Sequence, residues 1–369
     1  MKVTVEKDEL QRKLSDIQNI VEKKNTMPIL SHFLLSAEKD HQYITATDLE
    51  TAFKEPIKIT LQEEGSMCIP AKKLFEIARE MEGDITLESS DAKWLKVKCG
   101  KSHFRLACLS HEEFPVWPSL ASQGEHEMME LESSLLLDMI DKTLYAAGES
   151  DTRYVLNGLL FNIKPDGTLI VVGTDGHRLA LSQKSVSFNP KEEKRVIFSR
   201  KSLSELRRFL SSESKPVKMT IGKNHILFEI DDIQFLTRLI EGTYPNYEQV
   251  IPAAGDKVMH IEKELLMRSL RRVSIMSKER SSAVKVDINP QGIGISASNP
   301  DLGEAKDEFA VDYSGAPITL AFNAKYILDA LNVMESEKIV LKLSEPLSPT
   351  LIMEDGREDY KYVIMPMRL

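Results

Sequence analysis

One pattern occurs three times in this chain, as PAKKLFEIAREM (70–81), SRKSLSELRRFL (199–210) and NAKYILDALNVM (323–334). The starts of the copies lie 129 and 124 residues apart. Apolar residues align at Leu74, Leu203 and Ile327, and each copy has the three-to-four spacing of an amphipathic helix. Self-similarity at a fixed long period indicates a chain built from repeats of one structural unit.

A second, longer helical pattern precedes each copy. Together the patterns predict six helices, at 7–24, 71–82, 133–148, 200–211, 263–280 and 324–334. The segments between them alternate or are continuously apolar, as strands are, and Pro- and Gly-rich stretches near 114–127 and 243–256 punctuate the chain. We therefore predict an α+β protein of three repeated domains, 1–122, 123–252 and 253–369, each with two helices packed on antiparallel sheets.

Positive charge is concentrated in the predicted helices. These windows hold 20 Lys and Arg against 13 Asp and Glu, a balance of +7, so the remaining residues carry −16 of the net charge of −9. Lys72, Lys201 and Lys325 share one position, the first turn of the second helix of each repeat. A cation there opposes the helix dipole and costs roughly 0.3–1 kcal/mol.

Two interpretations of this charge remain open at this point. Solvated helix surfaces often carry lysine, whereas a basic helical surface also suits contact with phosphates that is independent of base sequence. The repeated lysine favours the second interpretation. Basic and aromatic residues do not interleave as they do in binders of single-stranded bases, so double-stranded nucleic acid is the better prediction.

Composition and motifs count against several other classes. The start MKVTVEKDEL meets charge at Glu6, and no apolar run approaches the roughly 20 residues of a bilayer span, so we expect neither a signal peptide nor a membrane helix. Cys68, Cys99 and Cys108 are expected to be reduced and mostly buried in a cytoplasmic protein. With no Walker A sequence and no metal-ligand spacing, no metal and no cofactor are predicted.

The segment TDGHR (174–178) is the one place that suggests catalysis. Asp175 and His177 could be an acid–base pair, which makes a hydrolase the alternative hypothesis. Asp175 and Gly176 are better explained as a two-residue hairpin turn between two strands. No serine or cysteine motif supplies a nucleophile, so we predict that the chain is not an enzyme.

Four blocks carry a resemblance to a known family: RYVLNGLLF (153–161), TDGHRLA (174–180), TYPNYEQVIP (243–252) and YVIMPMRL (362–369). They are similar to the bacterial DNA polymerase III beta subunit, and the likeness runs over the whole chain. It implies three DNA-clamp domains per chain and a closed ring formed by a head-to-tail homodimer, with helices lining the hole. The ring would encircle double-stranded DNA without sequence preference, act in the cytoplasm at the nucleoid, and confer processivity.

The implied partners are the catalytic subunit of DNA polymerase III, the clamp loader with its own ATP, and other polymerases and repair proteins. The resemblance places a pocket for their peptides at Arg153, Leu156, Thr174, Gly176, His177, Arg178, Leu179, Pro245, Gln249, Val250, Asn323, Tyr326, Leu347, Pro349, Val363, Ile364, Met365, Pro366, Met367, Arg368 and Leu369. Gln249 and Pro349 depart from residues found in relatives. Methionines suit such a pocket because they adapt to partners of different shape.

Two further sets of residues follow from the same resemblance. The DNA-contacting set is Lys24, Lys72, Lys73, Arg79, Arg200, Lys201, Arg208 and Lys325. At the ring interface, Phe104 and Leu106 would meet the partner's Ile275 and Met276, and Lys73, His103 and Arg105 would face the acids Glu304 and Asp307.

Overall fold

The structure, a computed structural model, describes residues 1–21, 27–89, 91, 93–118, 120, 126–252, 257–277 and 282–368. The chain divides into two compact units. Unit 1 comprises Met1–Ser134 with Glu205–Leu239, and unit 2 comprises Leu135–Ser204 with Ile240–Leu369. The division passes through the central repeat, so that each part of this repeat folds with a different neighbouring repeat.

The described residues contain six α-helices, one in each predicted window. They are α1 (Lys7–Ile17), α2 (Ala71–Arg79), α3 (Ser133–Thr143), α4 (Arg200–Leu206), α5 (Lys263–Ser274) and α6 (Ala324–Val333). The aligned apolar residues Leu74, Leu203 and Ile327 are all buried, as the repeat predicts. Each helix is shorter than its window, which corrects those bounds. Ile20 and Val21 are buried in a turn beyond α1, because an apolar pattern reports burial rather than helical hydrogen bonding.

The described residues of unit 1 form two antiparallel sheets. The smaller has five strands in the order β5 (Thr60–Glu63), β1 (Lys2–Val5), β7 (Ile85–Ser89), β8 (Trp94–Cys99) and β9 (Ser102–Ala107). The larger has eight, in the order β10 (Glu127–Glu132), β15 (Pro216–Ile221), β16 (His225–Ile230), β17 (Ile233–Arg238), β4 (Thr51–Pro56), β3 (Gln42–Thr47), β2 (His32–Ala37) and β6 (Gly65–Pro70).

Unit 2 repeats this plan, again with antiparallel pairs. Its eight-stranded sheet has the order β14 (Lys194–Ser199), β11 (Gly158–Ile163), β12 (Thr168–Thr174), β13 (Arg178–Ser185), β25 (Tyr360–Ile364), β24 (Thr350–Glu354), β23 (Lys338–Leu343) and β18 (Lys257–Glu262). Its four-stranded sheet has the order β21 (Gly303–Phe309), β20 (Gly292–Asn299), β19 (Ala283–Asn289) and β22 (Ile318–Asn323).

Each large sheet joins strands of two repeats. In unit 1, β17 of the central repeat pairs with β4 of the first, and Leu236 lies opposite Ala52. In unit 2, β13 of the central repeat pairs with β25 of the third, and Leu179 lies opposite Val363. The backbone hydrogen bonds of a sheet therefore continue across both junctions between repeats.

The helices keep much of the predicted excess of positive charge. Within their observed bounds they hold 14 Lys and Arg against 9 Asp and Glu, a balance of +5. Cys68, Cys99 and Cys108 are free and buried as predicted, and burial raises the pKa of Cys68 and of Cys108 to about 12. No helix in the described part of the chain is long and apolar enough to cross a bilayer.

A buried ion pair ties α1 to the large sheet of unit 1. The Lys13 ammonium donates a hydrogen bond to the Glu55 carboxylate, and the two residues are 5% and 1% exposed. Burial raises the pKa of Glu55 to about 7, although Lys13 acts in the opposite direction. Removing one partner of a buried pair leaves an uncompensated charge, which destabilises a protein by about 3–5 kcal/mol.

We predict that Lys13→Met lowers the free energy of unfolding of unit 1 by about 3–5 kcal/mol at pH 8. The loss should shrink at pH 5. In the folded variant, the pKa of Glu55 stays above its value in the unfolded chain. The protonated carboxyl therefore stabilises the folded state below the unfolded pKa, and this stabilisation is lost as the pH rises through the folded pKa. Urea unfolding followed by tryptophan fluorescence reports on this unit, because Trp94 and Trp117 both lie in it.

The control is Lys13→Met combined with Glu55→Leu, which replaces the pair by apolar side chains. This double variant should regain most of the stability and lose the pH dependence. A single variant that is as stable as the double one at pH 8 would contradict this role for the pair.

Candidate functional site: an apolar groove in unit 2

A groove of about 550 Å³ opens in unit 2 between the β12–β13 hairpin, the segment around 245–250 and the end of β25. Ten of its lining residues were predicted from the resemblance: Arg153, Leu156, Thr174, Gly176, Arg178, Leu179, Pro245, Val250, Val363 and Met365. Asn246 and Tyr247 also line it and were missed, although both belong to the quoted block 243–252.

The floor of the groove is apolar and is formed by two strands and two short helical turns. Leu156, Leu179, Tyr247 and Val363 are nearly fully buried and belong to one hydrophobic cluster. Successive side chains on β25 point to opposite faces. Ile364, also predicted for the pocket, therefore lies in the other hydrophobic cluster of unit 2, is 0% exposed and does not line this groove.

The turn beside the groove is longer than the two residues predicted. β12 ends at Thr174 and β13 begins at Arg178, so Asp175, Gly176 and His177 form the connection. One Asp175 oxygen accepts hydrogen bonds from the backbone N–H groups of His177 (2.9 Å) and Arg178 (3.0 Å). The side chain of an Asx residue thus closes the turn, which a two-residue hairpin would not need.

Gly176 lets Arg153 approach the turn. Gly176 has φ 85°, and a Cβ there would lie 3.0 Å from the Arg153 guanidinium. That guanidinium donates hydrogen bonds to the Asp175 carbonyl (3.1 Å) and to the Asp151 carboxylate (2.8 Å). The hydrogen bonds from Arg153 hold the pKa of Asp151 at about 2, so both groups are charged at neutral pH.

Arg178 lines the groove, but its guanidinium is committed within the chain. It donates to Asp329 (2.6 Å), to Asp175 (3.1 Å) and to the Tyr145 carbonyl (2.6 Å), and it lies 4.2 Å from the ring centre of Tyr326. Burial alone would lower the pKa of Arg178, but the hydrogen bond to Asp329 and nearby anionic groups raise it on balance. The side chain therefore fixes the turn in place, a role the sequence did not predict.

The remaining predicted pocket residues lie around the groove rather than in it. His177 and Tyr326 line a polar cavity of about 1060 Å³ that also contains Arg200 and Lys325. Asn323 caps α6 by accepting hydrogen bonds from Lys325 and Tyr326. Gln249 is exposed in the short helical turn Tyr247–Val250, and Leu347 and Pro349 lie in the loop between β23 and β24, outside the groove lining.

Two backbone hydrogen bonds hold the end of the chain beside the groove. The Met365 N–H donates to the His177 carbonyl (2.9 Å), and the Met367 N–H donates to the Ala321 carbonyl (2.7 Å). Pro366 is half-buried and Arg368 is exposed on the same segment. Leu369, also predicted, lies outside the described residues.

The lysine column predicted to contact DNA is exposed. Lys72, Lys201 and Lys325 are each the second residue of a helix and are exposed at the surface. Four other cations predicted to contact DNA form ion pairs within the chain: Lys73 with Glu76 (2.5 Å), Arg79 with Glu80 (3.1 Å), Arg200 with Glu149 (2.5 Å) and Arg208 with Glu205 (2.8 Å). Lys24 lies outside the described residues.

Six of the nine residues predicted at the ring interface lie on two edge strands, β9 in unit 1 and β21 in unit 2, whereas Lys73 lies on α2 and Ile275 and Met276 directly follow α5. Edge strands leave backbone groups free to pair with another chain. Phe104 is 40% exposed and Ile275 is 72% exposed, whereas Leu106 is 8% exposed. Asp307 already pairs with Arg272 of the same chain.

The other predicted interface residues vary in exposure. His103 and Glu304 are exposed, and Met276 is half-buried. The Arg105 guanidinium lies over the ring of Trp94, 4.1 Å from its centre. A stacked arginine of this kind is held in position by the aromatic face.

The alternative of an acid–base pair finds no support in the geometry. One Asp175 oxygen closes the turn and the other accepts from the Arg178 guanidinium, so both carboxylate oxygens are engaged within the turn rather than with the His177 ring. Among the described residues, no group of three or more His, Cys, Asp or Glu side chains could hold a metal ion.

Comparison with known proteins gives matches over the whole chain. Three family models match in order: the N-terminal (1–118), central (130–246) and C-terminal (248–368) domains of the DNA polymerase III beta subunit. The curated Beta sliding clamp of Pseudomonas putida is 34% identical over 372 residues, covering 100% of both chains. That of Escherichia coli is 32% identical over 371 residues, also with 100% of both chains covered.

Solved structures agree with these matches. A Pseudomonas aeruginosa sliding clamp (DNA polymerase III subunit beta) bound to griselimycin has a TM-score of 0.93 at 32% identity, covering 100% of each chain. A Bacillus subtilis DNA polymerase sliding clamp has a TM-score of 0.93 at 26% identity. The threefold repeat therefore corresponds to three domains of the clamp fold.

We predict that Arg178→Lys lowers the free energy of unfolding by about 2–3 kcal/mol, because a lysine cannot reproduce the three hydrogen bonds or the stacking of a buried guanidinium. Arg153→Lys is the matched control. Its side chain is 57% exposed and its ion pair is solvated, so the loss should stay below about 1 kcal/mol. Urea unfolding followed by far-ultraviolet circular dichroism measures both; equal losses would contradict a structural role for Arg178.

Proposed function

We propose that this chain, which belongs to the DNA polymerase III beta subunit family of sliding clamps, encircles double-stranded DNA as a head-to-tail homodimeric ring. The observation that carries the proposal is that all three repeats match sliding clamps, over the full length of this chain and of the relatives. The family is a non-catalytic processivity factor, which confirms the prediction that the chain is not an enzyme.

In the proposed ring, two chains supply six domains. The edge strands β9 and β21 would pair between subunits, with Phe104 of one facing Ile275 of the other, because both side chains are exposed. A head-to-tail contact closes into a ring when its rotation permits. The lysine column and the neighbouring arginines would face the duplex and contact phosphates without reading bases.

The groove in unit 2 would receive short peptide segments of the polymerase catalytic subunit, the clamp loader and other polymerases and repair proteins. Its apolar floor would bury apolar side chains, while Arg153 at its rim would supply a charged group for orientation. The loader would use its own ATP, and the site of action would be the cytoplasm at the nucleoid. We also propose domain boundaries near 122 and 252; the first falls between the family matches to 1–118 and 130–246, and the second lies four residues inside the match to 248–368.

Encirclement predicts retention that depends on DNA topology. The protein is loaded onto nicked circular DNA with a clamp loader and ATP, and the fraction that stays bound is measured by gel filtration. It should stay bound at about 0.5 M salt, where proteins held only by phosphate contacts lose affinity by orders of magnitude, and leave after the circle is linearised. Equal retention on circular and linear DNA would rule out a closed ring.

The groove is tested by Met365→Asp. Met365 is 39% exposed and lines the groove, so a carboxylate there should weaken binding of a partner peptide at least tenfold, or about 1.4 kcal/mol. The control Met128→Asp changes a methionine that is 71% exposed on β10, in unit 1. Fluorescence anisotropy of a labelled peptide from the catalytic subunit measures both; an unchanged Kd for Met365→Asp would place the peptide elsewhere.

A further inference from the structure

The hairpin between β3 and β4 in unit 1 reproduces the turn beside the groove in unit 2. The Thr47 hydroxyl donates to the Thr51 carbonyl (2.9 Å), as the Thr174 hydroxyl donates to the Arg178 carbonyl (2.5 Å). The matched positions are Thr47 with Thr174, Asp48 with Asp175, Leu49 with Gly176, Glu50 with His177 and Thr51 with Arg178.

The carboxylate closes both turns in the same way. Asp48 accepts from the backbone N–H groups of Glu50 (3.0 Å) and Thr51 (2.6 Å), as Asp175 does from the two residues at the matched positions. The residue after the aspartate is left-handed in both turns, with φ 75° at Leu49 and 85° at Gly176.

The surroundings of the two turns also match. The segment Phe114-Pro115-Val116-Trp117 corresponds to Tyr244-Pro245-Asn246-Tyr247 in unit 2. Ala52 lies opposite Leu236 on the neighbouring strand, as Leu179 lies opposite Val363. The β3–β4 hairpin, this segment and β17 therefore line a second groove, of about 400 Å³, in unit 1, to which His225 on β16 also contributes.

This second groove keeps an apolar lining. Ala52 and Leu236 are buried in a cluster against which Trp117 packs, and Phe114 is also buried at the groove. Leu49 is 52% exposed at the rim, in a backbone conformation that leucine rarely adopts and glycine adopts freely. An exposed apolar side chain held at backbone strain is a feature of binding sites rather than of cores.

The two grooves differ in the charged residues that line them. Among the described residues, the unit 2 groove is lined by Arg153 and Arg178, each paired with an aspartate of the same chain, whereas the unit 1 groove is lined by Glu50 and by no arginine or lysine. His225 also lines it; burial, and to a lesser extent Arg238, lower the pKa of this imidazole, so it is neutral at pH 7.

We infer that the unit 1 groove is a second peptide-binding site, which takes a short segment of a partner protein with an apolar side chain beside a lysine or arginine. The apolar side chain would enter between Trp117 and Leu236, and the cation would lie at Glu50. The smaller cavity would hold fewer side chains than the unit 2 groove. This site goes beyond the proposed function and would exist even if the unit 2 groove bound no peptide.

The test uses the full chain with Trp94→Phe, which leaves Trp117 as the only tryptophan and places the reporter in the groove. The probes are two synthetic hexapeptides with a central leucine–phenylalanine pair, one flanked by lysines and the other by glutamates. The lysine peptide should change Trp117 fluorescence saturably and bind at least tenfold more tightly than the glutamate peptide. Glu50→Lys should reverse this order.

Two variants separate binding from folding and from the first groove. Leu49→Gly removes the rim side chain and relieves the strain of its positive φ. It should weaken binding of the lysine peptide at least threefold, while the Tm stays equal or rises. Met365→Asp, in unit 2, should leave the Trp117 signal unchanged.

Three results would overturn the proposal. The first is no saturable change with either peptide, or the same affinity for both. The second is a signal that disappears in Met365→Asp, which would assign binding to the unit 2 groove. The third is a Trp117 signal that varies with protein concentration in the absence of peptide, which would mean that a second copy of the chain covers the groove.

Discussion

The antiparallel pairing of β13 with β25 is the constraint on which the unit 2 groove depends. It sets Leu179 opposite Val363, so that side chains far apart in the chain form one apolar floor. Since strand side chains alternate, a slip of one residue would move Val363 to the opposite face of the sheet and put Ile364 on the groove face. The pairing of β17 with β4 does the same for Ala52 and Leu236 in unit 1. Both grooves are consequences of sheets that continue from one repeat into the next.

A preformed groove also needs a rigid edge, which the Asp175 turn and Arg178 supply. The aspartate satisfies backbone N–H groups that the turn would otherwise leave unpaired, and the buried guanidinium ties the turn to Asp329 on α6. Each of these hydrogen bonds forms within the chain and does not require a bound partner. Binding to such a site loses little conformational entropy on the protein side, so a short segment can bind with useful affinity.

The charge distribution suits a protein that stays on DNA without binding its phosphates tightly. The helices carry a surplus of positive charge in a chain whose net charge is −9. Many of these cations, such as Arg200 and Lys73, are paired with neighbouring carboxylates, which moderates their attraction for phosphates. In the proposed ring, retention comes from topology, and weak contacts that are independent of base sequence leave the protein free to slide.

The amino-acid sequence by itself determined the three repeats, the six helices, the buried column of Leu74, Leu203 and Ile327, and the exposed lysine at the second position of three helices. These features are local, since a 3.6-residue period and a repeat can be read without knowing what lies opposite. Ten groove residues also followed from the resemblance of the quoted blocks to a family. Only the tertiary structure decided where each helix ends and that Ile364 lies in the core. It alone also showed that Arg178 is hydrogen-bonded within the chain and that the turn Thr47–Thr51 repeats the turn at 174–178. Each of these depends on strand register or on a hydrogen-bond partner distant in sequence, and such pairings are set when the chain folds upon itself rather than by any local pattern.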